Sequence, residues 1–430
     1  MKLVKMSLAA AVLLGASAFA IDNVKVSGDA KLYYGTNNMG DGDLFDQGGL
    51  INTANGTGGS YADAALRLGV TGDLTKGVSF GVTGYAVSTL GLENNLVGQT
   101  WTGAHSATIG NGSQIGAAVN DEAWLGELWI AATLGKTTAK LGRMELDTPL
   151  AFSEKWSIVP NTFEGAVLIN QDLPDTTLVG AWVGKNNGVN AIAGFNGVVS
   201  NTPVAGIDRV VGADAEFGTF ASDGAYAAAI VNNSFKPLTA QAWYYNVVDV
   251  ADAYWLQADI NCDLVKGLTI GAQYANIDPK GESLNALDDS SAYAFKLGYN
   301  GVQNLKVSAA YSKADEDGTL RIANVATANL GAAQSKLYTE AWWNYGYVGA
   351  PDAKSWNATA EYDAGIAKVG AYYTDVNVDA TDVDMNEVAL TVSKSFGPLD
   401  ATLAYVSTDA DDQNNGDQYD TVQAYLTLNF

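Results

Sequence analysis

The connection at residues 144–162 opens MELDTPLAFSEKWSIVPN and gathers four ionisable side chains, Glu145, Asp147, Glu154 and Lys155. Carboxylates this close in sequence can hold a divalent cation through oxygen. They can equally set the charge preference of a passage that ions traverse. Phe152 and Trp156 are placed to pin the segment to a wall, and Pro149 and Pro160 prevent it from being one regular strand. Acid–base catalysis is the weaker reading, because it most often relies on histidine near neutral pH. The chain has one histidine, His105, in the Gly/Ser-rich stretch WTGAHSATIGNGS, with no nucleophile motif around Ser106. The run DADDQNNGDQYD at 409–420 imitates a calcium loop through Asp409, Asp411 and Asp420, but Asn414 stands where the turn needs glycine. It reads as a solvated loop. The single cysteine, Cys262, falls on an apolar strand face and reads as a small packed residue.

The elements that must position the acidic connection announce themselves by alternation. In VKVSGDAKLYYG, from Val24, the even positions are mostly apolar, while Lys25, Ser27, Asp29 and Lys31 occupy the odd ones. A period of two puts one face against something apolar and the other against water. YWLQADINC, from Tyr254, repeats the pattern, with Gln257 and Asp259 on the wet face. So does YDTVQAYLTLNF, the stretch from Tyr419 to Phe430. Eighteen such segments follow one another along the chain, most of them about the 9–11 residues of a tilted membrane-spanning strand. Two more stretches, 209–218 and 335–347, look strand-like but fit better inside loops, because counting them breaks the alternation of connections.

That alternation is the strongest topological signal. Short turns such as GDLTKG, LGKT, DLVKG and FGP alternate with connections that are mostly much longer, at 36–60, 89–122, 144–162, 185–223, 277–289, 314–354, 376–385 and 409–418, with a short one at 248–251. Short turns on one rim and long loops on the other predict an all-β fold. The expected form is an antiparallel transmembrane barrel of eighteen strands, with short periplasmic turns, long extracellular loops and an infolded third loop. Lipid offers no hydrogen bonds, so the sheet must close on itself. The segment ending at Phe430 is then the one that seals against the first strand, and Phe430 is expected to act as an assembly signal. Lys31, Asp63 and Arg67 are expected on the lumen wall, and Glu145, Asp147, Glu154 and Lys155 on the constriction loop.

Met1 to Ala20, MKLVKMSLAAAVLLGASAFA, reads as a Sec signal peptide cleaved after Ala20, leaving residues 21–430 as one barrel domain. The formal net charge of -24 becomes -26 once Lys2 and Lys5 leave with it. This balance argues against nucleic acid and for raised cation concentration at a pore mouth. The sequence shows no ladder of basic residues, and so no bias toward anionic solutes.

LGRMELDTPLAFSEKWSIVPNTFEGAVLINQDLPDTTLVGAWVGK (residues 141–185), IDNVKVSGDAKLYYGT and VQAYLTLNF together resemble the Campylobacter-type major outer-membrane porins, relatives of the wider substrate-specific porins. The resemblance implies a homotrimeric, cation-preferring porin in the bacterial outer membrane. It also implies a calcium ion near the constriction, for which Asp121 or Glu122, Asp147 and Glu154 in the infolded loop, and Asp288 are the acidic candidates. The expected partners are outer-membrane lipids and lipopolysaccharide and the barrel assembly machinery. Two other roles stand beside the passive porin. One is a surface adhesin using the long loops at 185–223 and 314–354. The other is a substrate-specific porin with saturable solute block.

Overall fold

The computed structural model describes residues 21–40, 42–46, 59–88, 90, 99–100, 122–155, 158–188, 217–219, 224–280, 287–327 and 333–430. The leader at 1–20, Asp121, Trp156 and His105 lie outside these residues, as do most of the strand-like stretch at 209–218 and of the loop at 185–223.

Twenty strand segments form one sheet; two, Gln99–Thr100 and Gly218–Thr219, are only two residues long and flank the wall. The other eighteen make the barrel. The first six are β1 (Asp22–Asn37), β2 (Gly59–Thr75), β3 (Val78–Ser88), β4 (Glu122–Leu134), β5 (Thr137–Met144) and β6 (Phe163–Asn170). Then come β7 (Thr176–Asn186), β8 (Ala225–Asn232), β9 (Leu238–Val247), β10 (Ala251–Asn261), β11 (Leu268–Pro279) and β12 (Ser290–Val302). β13 (Leu305–Ala314), β14 (Ala353–Asp363), β15 (Lys368–Val378), β16 (Val383–Phe396), β17 (Leu399–Ala410) and β18 (Tyr419–Asn429) complete the wall. Each pairs antiparallel with its neighbours, and β18 pairs with β1 from Asp29↔Asn429 to Asn37↔Thr421. Phe430 extends that seam, exchanging backbone hydrogen bonds of 2.8 and 3.0 Å with Gly28. The sheet therefore has no free edge, which is what a hydrocarbon environment demands.

The turns carry the chemistry that tight connections need. Gly77, between β2 and β3, sits at φ +79°, where a Cβ would meet the Thr133 carbonyl oxygen at 2.8 Å. The alternation seen in sequence becomes two faces. Leu66, Leu128, Ile130, Leu141, Leu256 and Leu297 are exposed on the outside. Tyr244, Tyr254, Tyr293 and Trp356 form an outer aromatic band near the long-loop rim, with Tyr244–Tyr254 centroids 5.2 Å apart. Phe235, Tyr299, Tyr362, Phe396 and the exposed Phe430 lie near the opposite rim. Two such girdles bound the lipid-facing belt of outer-membrane barrels.

The interior differs from the uniformly polar lumen that the alternation suggests. Toward the long-loop rim, the inward positions of β9–β17 are small or apolar, including Ala251, Ala253, Ala275, Ala292, Ala294, Ala353 and Val376, with Trp255 fully buried. Something apolar must cover them. It is the seventh connection on the long-loop rim, residues 315–352, whose Leu320, Ile322, Leu337, Ala341, Val348 and Ala350 join the same cluster. The stretch at 335–347 is loop with one short 3-10 turn at Tyr345–Tyr347, as the alternation of connections predicted. The expectation that 314–354 offers a host-binding surface is corrected here, because this loop is folded into the barrel and largely buried.

Candidate functional site

Among the described residues two loops enter the lumen, the third (145–162) and the seventh (315–352), and each is tied to the wall and to the other. Glu387, inward on β16 and 1% exposed, accepts from the backbone N–H groups of Trp343 (2.9 Å) and Asn344 (2.8 Å) and from the Asn344 side chain (2.9 Å). Asp259 on β10 accepts from the Tyr338 hydroxyl at 2.6 Å, and Gln273 on β11 accepts from the Tyr338 N–H at 3.0 Å. Lys296 on β12 lies 4.5 Å over the Tyr338 ring. These contacts hold the seventh loop against the β10–β18 half of the barrel. An apolar cavity of about 80 Å³ lined by Leu146, Leu150, Phe163, Val183, Tyr245 and Ile277 remains behind the third loop, so that side is dry.

The loops are clasped by Glu154, which is 3% exposed. One carboxylate oxygen accepts from the Asn324 side chain at 3.0 Å, the Thr327 hydroxyl and the Gln334 N–H at 3.4 Å. Asn324 also donates to the Phe152 carbonyl at 2.9 Å and accepts from the Phe152 N–H at 3.0 Å. Asn161 stiffens the third loop by accepting from the Glu154 N–H at 2.8 Å. Glu154, expected in the passage, is therefore a buried clasp. A charge so placed must be satisfied by hydrogen bonds, and this one is.

The wet side lies against β1–β5. Arg67 on β2 donates through Nε to Asp29 on β1 at 2.8 Å and through Nη1 to Glu145 on the third loop at 3.3 Å. Lys155 closes on the other Glu145 oxygen at 2.7 Å. Lys31 stands on the same face of β1 as Asp29, two residues on. Glu127 accepts from Thr83 at 3.2 Å, and Lys140 lies 4.2 Å over the Trp129 ring. Four cations and three carboxylates thus face one side of the lumen, a row of both signs that no contiguous stretch of sequence displays. The absence of a basic run in the sequence did not mean the absence of gathered bases, since Lys31, Arg67, Lys140 and Lys155 come from four separate segments. The inward phase of β1, β2 and β5, read together, was the signal.

Asp147 is highly exposed and ion-paired with Lys336 of the seventh loop, a partner sequence reasoning missed. Asp63 is inward on β2 but 1% exposed, opposite Tyr33 in the register, and so shut from the water column. Asp288 is exposed on the rim before β12, and Asp121 lies outside the described residues. Among the described residues no three of His, Cys, Asp or Glu are grouped to hold a metal ion. Asp147 neutralises the Lys336 ammonium, with which a bound cation there would compete. Phe152 is pinned as expected of it, buried with Lys336 4.6 Å over its ring.

One carboxyl in the seventh loop titrates abnormally. Glu340 accepts from the Ser335 N–H at 2.9 Å through one oxygen, while the other is buried without a hydrogen-bond partner. Burial, reinforced by the Glu154 and Glu387 charges, raises its pKa well above the ordinary carboxylate range. A raised folded pKa means the docked loop binds the proton more tightly than the free one. Docking is strongest below the ordinary carboxylate pKa of about 4.3 and weakens as pH rises through the folded value. Open-channel noise is expected to grow with rising pH in the wild type and to be flat in Glu340→Gln. A flat wild-type profile would remove Glu340 from the docking energetics.

Comparison with known proteins places this architecture. The profile of the OprD family of outer-membrane porins matches residues 21–372. Among solved structures, the chain is similar to Pseudomonas aeruginosa OccK9 (OpdG), at TM-score 0.69 and 14% identity, covering 95% of this chain and 99% of that one. It is also similar to Pseudomonas aeruginosa OccK8 (OprE), at TM-score 0.67 and 16% identity over 95% and 98%. A third is Pseudomonas aeruginosa OccK2 (OpdF) in complex with glucuronate, at 0.65 and 13% over 95% and 96%. No curated protein sequence matches the chain. The narrower Campylobacter-type resemblance is not what these matches carry; the family they point to is the wider one. An eighteen-stranded closed barrel with an ionic lumen wall is a channel of the bacterial outer membrane and not an enzyme, and the chain belongs to the OprD family of outer-membrane porins.

Proposed function

We infer that the channel carries small hydrophilic solutes and ions by passive diffusion, with a preference for cations. The observation that supports this most is the division of the lumen. Two clasped loops and an apolar inner wall close one side, leaving a narrow passage along Asp29, Lys31, Arg67, Glu127, Lys140, Glu145 and Lys155. Charges nearly balance there, so the balance of the whole chain decides the bias. The long-loop rim around β13–β18 is acidic, with Asp315, Asp352, Asp379, Asp384, Asp409, Asp411, Asp412 and Asp417. Such a mouth concentrates cations within a Debye length of about 8–10 Å.

The test is the reversal potential across a planar bilayer under a KCl gradient. A cation-over-anion ratio above one is expected. Glu145→Gln, which leaves Arg67 and Lys155 without their shared carboxylate, is expected to lower the ratio by roughly a factor of two. Anion preference in the wild type would overturn the reading.

A second reading has its own support. OccK2 (OpdF) has been solved with glucuronate and OpdK with vanillate, both carboxylates. Lys31, Arg67, Lys140 and Lys155 give a carboxylate-bearing solute stepping points along one wall. Saturable block of the ionic current by glucuronate, absent with a neutral sugar, would favour this substrate-specific channel. The resemblance to Campylobacter-type porins further suggests a homotrimer and a calcium dependence. Native mass and conductance with and without a chelator are the measurements that decide those two.

A further inference from the structure

The outer wall carries one charged cluster that the passage does not use. Arg143 pairs in register with Leu128 on β4 and with Glu164 on β6, and Glu164 pairs with Lys185 on β7. Residues opposite one another across a ladder point to the same face. Leu128 is exposed on the outside, so all three charges are outward, at the long-loop ends of their strands. Arg143 Nε donates to Glu164 at 2.6 Å, its Nη1 donates to the Leu125 carbonyl at 2.9 Å, and the Lys185 ammonium stands 3.9 Å from the same carboxylate. Phe217 lies 3.9 Å from the guanidinium carbon and holds the fork in place. Two cations share one carboxylate, and Lys185 is half exposed.

The surroundings give this surplus its meaning. Leu141, Leu168, Trp182 and Tyr226 nearby are exposed and apolar, as a lipid-facing wall requires. Charge on such a wall costs about 2–4 kcal/mol at mid-bilayer and little near the interface. The cluster sits where the cost is small. Elsewhere on this rim the outward cations are matched by carboxylates, Lys280 by Asp252 and Lys354 by Asp379. On the long-loop rim, among the described residues, this is the cluster in which outward cations outnumber their acids. The outer leaflet of an outer membrane presents phosphorylated glycolipid headgroups at this depth.

We propose that Arg143 and Lys185, steadied by Glu164 and Phe217, bind a phosphate of an outer-leaflet glycolipid whose acyl chains lie on the Leu141 and Leu168 wall. The donors are the Lys185 ammonium and the Nη2 of Arg143, which has no hydrogen-bond partner among the described residues, and charge-assisted bonds to phosphate are the strong class. This deepens the porin reading without depending on the ion selectivity of the lumen.

The test is native mass spectrometry of the full barrel in detergent with a defined bisphosphorylated lipid A and its dephosphorylated form. The wild type is expected to retain the phosphorylated lipid, and R143Q/K185Q to retain it about tenfold less well, with single-channel conductance unchanged as the check on folding. Should the double variant fail to fold, Glu164→Gln supplies the opposite sign, because removing the shared carboxylate is expected to tighten retention. Equal retention of both lipids, or of one lipid by wild type and variants, would overturn the proposal. So would loss of a second copy of the chain in place of the lipid, which would make this face an interface between copies.

Discussion

Replacing residues 318–350 with a short turn is expected to raise single-channel conductance on the order of several-fold, because the wall of an eighteen-stranded barrel encloses an aqueous channel unless something is folded into it. The segment fills one side of the lumen through Leu320, Ile322, Leu337, Ala341 and Val348, packed on Ala251, Ala253, Trp255, Ala275 and Ala292. The strands that bound it, β13 and β14, pair with each other directly from Leu305↔Tyr362 to Lys313↔Lys354, so the wall does not depend on the loop for closure. Its removal exposes an apolar inner wall to water, and a lower thermal midpoint is expected alongside the larger current. Glu387→Gln provides the gentler version. It keeps the shape but weakens three hydrogen bonds to Trp343 and Asn344. Smaller, more frequent openings to the large conductance are expected from it. A deletion variant with wild-type conductance would show that the seventh loop does not limit the passage.

Glu154→Ala is expected to have the second-largest effect. It takes the acceptor from the buried Thr327 hydroxyl and the half-buried Gln334 N–H, while the Asn324 amide keeps the Phe152 carbonyl. A buried donor left without its acceptor costs about 1–3 kcal/mol. The third and seventh loops should then part, with a wider and noisier channel and faster protease cleavage near residue 324. Glu154→Gln retains an acceptor and loses only the charge assistance, so it should lie between wild type and alanine. The ranking Ala, then Gln, then wild type in current noise is the signature. Equal behaviour of Gln and Ala would point to the charge itself, acting at a distance.

Much of the wall was legible in the residues. Each of the eighteen alternating segments corresponds to a barrel strand, because period two is dictated by the pleat and a greasy exterior enforces it on every strand. The sorting of loops by length was equally legible, being a property of chain connectivity alone. What could not be read was which side of the lumen is wet. Asp29 and Lys31 on β1 and Ala251 and Ala253 on β10 occupy equivalent inward positions. Only the second pair, being small and apolar, hints that another part of the chain must lie there, and Leu320, Ile322, Leu337 and Val348 in a long loop were the complementary hint. Glu145 and Glu154 looked interchangeable for a related reason. Their fates are decided by Arg67 on the wall and by Asn324 in another loop, and no local pattern carries those distances.

The Glu154–Asn324 hydrogen bond spans 170 positions of chain and joins two loops that enter from the same rim. The seam of β1 with β18 spans more of the chain still, but it continues a strand ladder, whereas these two loops can meet only once the wall has brought their anchoring strands together. Biogenesis should therefore pass through a sealed but unlatched cylinder, watertight toward lipid yet open along its axis. Refolded samples caught at that stage would leak solutes that the finished protein excludes, and the permeability of a freshly assembled membrane should fall with time as latching proceeds.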